Sequence, residues 1–202
     1  MNRVQLKTAA KCQIKGKIGI LFLITLIVAL ISGVASAILS KIPFGGLVVS
    51  LIITPAFSLS MIRVYLSVMR GEHPQVGDAF SGFDDFWSAF KVTFLVAIFT
   101  FLWSLLLVIP GIVKSLSYSM STYILAENKG KGALECINES KAMTYGYKMD
   151  LFILGLSFIG WILLGVITLG IAFIWILPYM QTTYANAYES LKKPTIEASA
   201  EI

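Results

Sequence analysis

Apolar positions in this chain come in long uncharged runs, separated by shorter polar stretches that hold nearly all the charge. The runs cover residues 18–40, 42–62, 92–113, 115–126 and 151–188. At about 1.5 Å per residue, a helix needs around 20 residues to cross a hydrocarbon core of ~30 Å. The last run, as one helix, would be about 57 Å long, so it must turn, and Thr168-Leu169-Gly170 is the place for it. Pro110-Gly111 interrupts the third run, because proline ends one helix and suits the first turn of the next. The first run is too long for the apolar core of a cleaved signal peptide and reads as a retained transmembrane helix.

Charge decides how many runs cross. If residues 111–127 form a span, there are six spans, and of the 16 cations only Lys41 and Lys114 lie outside. If that piece is a re-entrant loop, there are five spans and the cations split evenly. The positive-inside rule favours six, with all 11 acids and both termini cytoplasmic.

The expected fold class is therefore all-α: a polytopic membrane helix bundle of six transmembrane helices, arranged as three hairpins with cytoplasmic amphipathic lead-in helices. The chain reads as a single membrane domain. Its parts are a basic amphipathic N-terminal helix (1–17), hairpin 1 (18–70), an interfacial helix (76–90), hairpin 2 (91–127), a cytoplasmic helix (131–147), hairpin 3 (148–191) and a flexible tail (192–202). Lys17, Lys91 and Lys148 mark the start of each unit, and Pro55, Pro110 and Pro178 its second helix. This reads as a faint threefold repeat, although six-helix proteins in general show some of these marks. The second helices carry the polar residues, among them Ser58, Ser60, Arg63, Gln181, Thr182 and Asn186, so they are expected at the centre and the first helices toward lipid.

Composition agrees with a lipid environment. Hydrophobic residues make up 57% of the chain and charged ones 13%, against about 25% in soluble domains. Mean hydropathy is +0.82. The net charge of +5 thus reports orientation in a membrane and gives no ground for a nucleic-acid partner. Cys12 and Cys136 fall in segments read as cytoplasmic, where thiols stay reduced.

Candidate chemistry is sparse. Lys114, Ser117, Tyr118 and Ser121 share one face of the shortest span, a candidate solute or anion site. The alternative is a snorkelling lysine with hydroxyls bonded inside the bundle. Arg3, Lys7, Lys11 and Lys15 step by four along the N-terminal helix, a stripe suited to anionic lipid headgroups and equally to fixing topology. Val76, Phe80, Phe83, Trp87 and Phe90 make an aromatic face at helical spacing, with Asp78 and Asp85 opposite. Glycines 155, 160, 165 and 170 wind around a helix and form no dimer stripe. His73 has no ligand partner at metal spacing, and no phosphate loop or nucleophile elbow occurs, so no catalytic residue, metal or cofactor is expected.

One resemblance adds to this. Ile109-Pro110-Gly111-Ile112, the stretch Lys114-Ser115-Leu116-Ser117-Tyr118-Ser119-Met120, and Tyr123-Ile124-Leu125-Ala126 form a linked set. It continues with Glu139-Ser140, Met143, Gly146, Lys148, Leu156-Ser157-Phe158-Ile159-Gly160-Trp161, Thr168, Gly170, Pro178-Tyr179 and Tyr188. Over residues 80–191, and loosely over the first hairpin, the chain resembles the integral membrane proteins grouped as domain of unknown function 975. The resemblance implies a multi-span protein of bacterial origin, in the plasma membrane, with no established activity to carry over. Two functional readings follow: a non-enzymatic binding or scaffold protein whose partners are membrane lipids, another membrane protein or itself, and a small permease or channel component moving a solute or lipid between the second helices. A closed core favours the first; a continuous hydrated path favours the second.

Overall fold

The computed structural model describes residues 2–41, 46 and 49–200. Every regular element among the described residues is helical. Helix α1 (Arg3–Ile14) starts on Asn2, whose side-chain oxygen accepts hydrogen bonds from the amides of Val4 and Gln5. Gly16, at φ +81°, turns the chain into α2 (Ile18–Leu39). A π turn (Val49–Ile53) then leads into α3 (Thr54–Met69), with Pro55 at its start. Of the 42–62 run, residues 42–45, 47 and 48 lie outside the described residues.

After a 3-10 turn (Val76–Phe80), α4 (Phe86–Leu106) runs to Leu107, where the backbone becomes extended and reverses into α5 (Val108–Tyr118). The break thus comes three residues before Pro110, which sits inside the first turn of α5 because its missing N–H has no acceptor to lose there. The expected helix over 76–90 is not continuous. Gly82 presses against α3, its amide donating to Ser60 Oγ at 2.8 Å, and that approach breaks the segment before Phe86. Two residues, Ser119 and Met120, separate α5 from α6 (Ser121–Glu127), and α7 (Ala133–Met143) follows within the 131–147 segment.

Gly146, again at φ +81°, repeats the bend made by Gly16 and delivers α8 (Lys148–Leu156). A break at Ser157-Phe158 separates α8 from α9 (Ile159–Ile167). The expected turn at 168–170 is present, with Leu169 at φ +51° and Gly170 at +92°. Helix α10 (Phe173–Ala200) completes the chain, so its backbone is helical over 192–200, where the sequence reading places a tail.

Among the described residues, four helical stretches are long and apolar enough to cross a membrane: Ile18–Leu39, Leu51–Met69, Phe86–Leu106 and Lys148–Ile167. The burial is uneven between partners. Helices α3, α6 and α10 supply Leu59, Val64, Tyr65, Val68, Ile124, Leu125, Tyr179, Ala185 and Tyr188 to the core, whereas α2, α4 and α9 present most of their leucines and isoleucines outward. That outward face has the composition a helix needs against lipid tails.

The polar segments pack on the buried helices in a regular order. The 76–80 turn lies on α3, α7 lies on α6, and α1 lies on α10, so each polar segment covers the buried helix of the unit before it and the first segment closes on the last. Hydrogen bonds fix two of these contacts. Gln13 and Asn186 exchange side-chain amide bonds at 3.2 and 2.6 Å between α1 and α10. Arg63 of α3 pairs with Asp85 at 2.5 Å and donates to the carbonyls of Ser81 and Ala126, tying α3 to α6 and to the approach of α4.

Candidate functional site

The face predicted on the shortest span falls at the break between α5 and α6. There the Ser117 carbonyl accepts from Ser140 Oγ at 2.8 Å and from Thr144 Oγ1 at 3.3 Å, and the Met120 amide donates to Ser140 Oγ at 3.2 Å. Hydroxyls of α7 therefore satisfy backbone groups that the break leaves open. The Ser117 hydroxyl donates to Val113 within its own helix. Lys114 places its ammonium 4.4 Å above the ring of Trp103, and Tyr118 is buried beneath Lys141, 5.7 Å away. Ser121 is fully buried, and its Oγ has no hydrogen-bond partner. The four residues thus engage different neighbours instead of converging on one point.

The basic stripe divides in the same way. Lys7 lies 4.5 Å above the Phe158 ring and 3.5 Å from the Ser157 carbonyl, and Lys11 lies 5.6 Å above Tyr179. Partial burial, then the nearby Lys11 charge, pulls the Lys7 ammonium below its ordinary range. Lys15 points into solvent and Arg3 is half-buried. Two of the four cations are therefore set on aromatic rings of the third hairpin, and one is free to meet a headgroup.

What the sequence did not bring together is a cleft of about 500 Å³ between α2, α3, the α5–α6 break and α10. Its polar lining is neutral: Ser32, Thr54, Ser58, Ser119, Thr122 and Gln181, among Val28, Phe57, Met61 and Ile62. Ser58 and Gln181 stand out in the sequence as polar residues of second helices, and Ser119 and Thr122 lie in the hydroxyl-rich stretch 115–122, but Ser32 sits in a mostly apolar run and gives no such signal. Tyr123 forms part of the cleft wall, and its ring stacks on Tyr188 at 5.4 Å and 27°. The pair belongs to a core that also holds Val64, Val68, Ile124, Leu125, Ala185 and Leu191, all buried.

Behind the tyrosine pair, Glu127 gathers the ends of all three buried helices. Its carboxylate accepts from Tyr188 Oη at 2.8 Å and Lys192 Nζ at 2.6 Å, and pairs with Arg70. The signal for this cluster was present as the lone acid ending the 115–126 run. Only the meeting of α3, α6 and α10 gives it partners.

Among the described residues, no three His, Cys, Asp or Glu side chains are placed to hold a metal ion. No curated protein and no solved structure matches the chain. One family does, over residues 1–114 and 104–195, so that nothing but the last few residues falls outside the match. The two matched stretches take in α1 to α10, with their uncharged runs and polar covers, and the chain belongs to the family described as protein of unknown function DUF975.

Proposed function

We propose that this chain is a non-enzymatic protein of the bacterial plasma membrane that acts by binding, as a membrane-embedded scaffold whose partners are lipids or a second membrane protein. One observation carries the reading: the polar cleft between the buried helices has Tyr123 in its wall, and that ring stacks on Tyr188 within a filled core. A cleft whose wall backs onto filled core is a binding place; a transport path must continue. The distribution of cations supports both termini, and the covering segments around α1 and α7, lying on the cytoplasmic side.

The cleft's neutral hydroxyls and its one carboxamide suit a hydrogen-bonding, uncharged group, such as the glycerol and ester region of a lipid. Lys15 and neighbouring cations of α1 add attraction for anionic headgroups, about 1 kcal/mol per cation near the surface. A second reading, a permease, draws on the same six polar side chains meeting inside an apolar bundle. Proteoliposomes separate the two. Swelling in glycerol or urea is expected to match that of protein-free vesicles. Protein-dependent flux that Ser58→Phe abolishes by filling the cleft would establish the permease instead.

A further inference from the structure

The turn between α9 and α10 carries the argument furthest. Its side chains are apolar and bare: Leu169 is 93% exposed, Ile167 77% and Ile171 72%. Its backbone donors, by contrast, are all engaged. Every N–H from Thr168 to Ile176 has an acceptor within the turn or the helix ends beside it, the Ala172 amide reaching Thr168 Oγ1 at 3.1 Å. Water would satisfy those donors in an aqueous turn. Internal satisfaction of every donor, with bare leucine and isoleucine outside, suits an apolar surrounding, and the carbonyls of Ile167 and Leu169 are the turn's open acceptors.

The cations give the depth. Lys7 and Lys11 belong to the polar helix α1, and they rest on Phe158 and Tyr179. Trp161 and Trp175 pack beside Tyr179, an aromatic belt of the kind found at a membrane surface. From Phe158 to Leu169 the chain rises eleven residues, about 17 Å, roughly half of a ~30 Å hydrocarbon core. The second hairpin repeats the arrangement. Lys114 on Trp103, and Lys141 on Tyr118, set its level. Beyond Lys114 the arm continues only six residues to Val108, about 9 Å, and Leu105 through Ile109 are all between 67% and 75% exposed.

We infer that the second and third hairpins are wedges whose bare tips, around Leu107 and Leu169, lie among the acyl chains of a single leaflet and never reach the opposite surface. Only the first hairpin, whose α2 has 22 residues and is followed by Lys41, with no cation resting on a ring part-way along it, crosses. Helix α4 and the α8–α9 pair have the length to cross, but Lys114 on Trp103 and Lys7 on Phe158 set the surface part-way along them. Charge distribution does not separate this from six crossings, because a dipping hairpin and a crossing hairpin both return their ends to the same face. The inference rests on the chain lying in a bilayer and is independent of whether it binds or transports.

The test uses the full chain in lipid vesicles, with Cys12→Ser and Cys136→Ala and a single new cysteine, Leu107→Cys or Leu169→Cys. A charged, impermeant maleimide applied from either face is expected to leave both unlabelled until detergent is added. A bimane on each is expected to be quenched most by lipids carrying a nitroxide at the acyl-chain end. Labelling from the outer face, or strongest quenching by a headgroup nitroxide, would overturn the proposal. A second variant reads the backbone directly. In bicelles, Thr168→Val strands the Ala172 amide and is expected to lower the folding constant about tenfold or more relative to Thr168→Ser, since a buried unpaired donor is costly. Equal stability of the two would mean that water reaches the turn, and the inference fails.

Discussion

Replacing Glu127 tests how the three buried helices are held together. Glu127→Ala removes one acceptor from three donors, and the donors differ in what they lose. Arg70 and Lys192 are 46% and 34% exposed on their side chains, so water replaces the carboxylate, and each such pair contributes only about 0.2–1 kcal/mol. Tyr188 is 1% exposed, and its hydroxyl is left with no partner, at about 1–3 kcal/mol. The phenol therefore dominates, and the expected loss is about 2–3 kcal/mol, below the 3–5 kcal/mol of a fully buried pair broken on one side. Glu127→Gln keeps an acceptor for the phenol and should lose about 1 kcal/mol or less. Combining Glu127→Ala with Tyr188→Phe should recover part of the loss, because the stranded hydroxyl is gone. Equilibrium unfolding in detergent, followed by circular dichroism at low and high salt, reads all four. If Glu127→Ala and Glu127→Gln lose the same stability, or high salt alone reproduces the loss, the charges and not the buried phenol hold the helices, and the reasoning is refuted.

Two further outcomes are expected. An added Cβ at Gly82 would fall on the Ala56 carbonyl oxygen and within 2.8 Å of the Ser60 amide nitrogen, so Gly82→Ala should destabilise by about 2–4 kcal/mol in thermal unfolding. Gly77→Ala, with nothing within 4 Å, is the control and should change stability by less than about 1 kcal/mol. Cys12 is exposed, while Cys136 is fully buried and its thiol is pushed up by that burial, so a disulfide reagent should modify one thiol per folded chain. Modification of the second should be about a thousandfold slower or more, at the rate set by opening of the fold.

Much of the architecture is legible in the residues because lipid enforces simple rules. Uncharged runs became helices, and the turn at 168–170 falls where a 38-residue run has to fold back. The polar content of the second helices foretells their burial, since Ser60, Thr182 and Thr183 have nowhere else to go in an apolar medium. Pro110 misleads by three residues because a proline is as comfortable inside a first turn as at a break. The aromatic spacing over 76–90 suggests one helix, yet the contact of Gly82 with α3 overrides local periodicity. Neither the cleft nor the Glu127 cluster is legible, because each is assembled from residues far apart in sequence that only the packing of α3, α6 and α10 brings together.

The docking of α1 on α10 has a consequence for how the protein is made. Helix α1 finds its partner in α10, more than 150 residues later, so Ala10 and Ile14, both buried in the finished fold, stay uncovered until α10 has been made. Contacts of that sequence separation are slow to form and must wait for the chain between them. During the wait the membrane surface is the natural lodging for α1, with its cations toward headgroups and its apolar side toward the acyl boundary. Final closure then lifts α1 off the lipid and onto Asn186 and its neighbours.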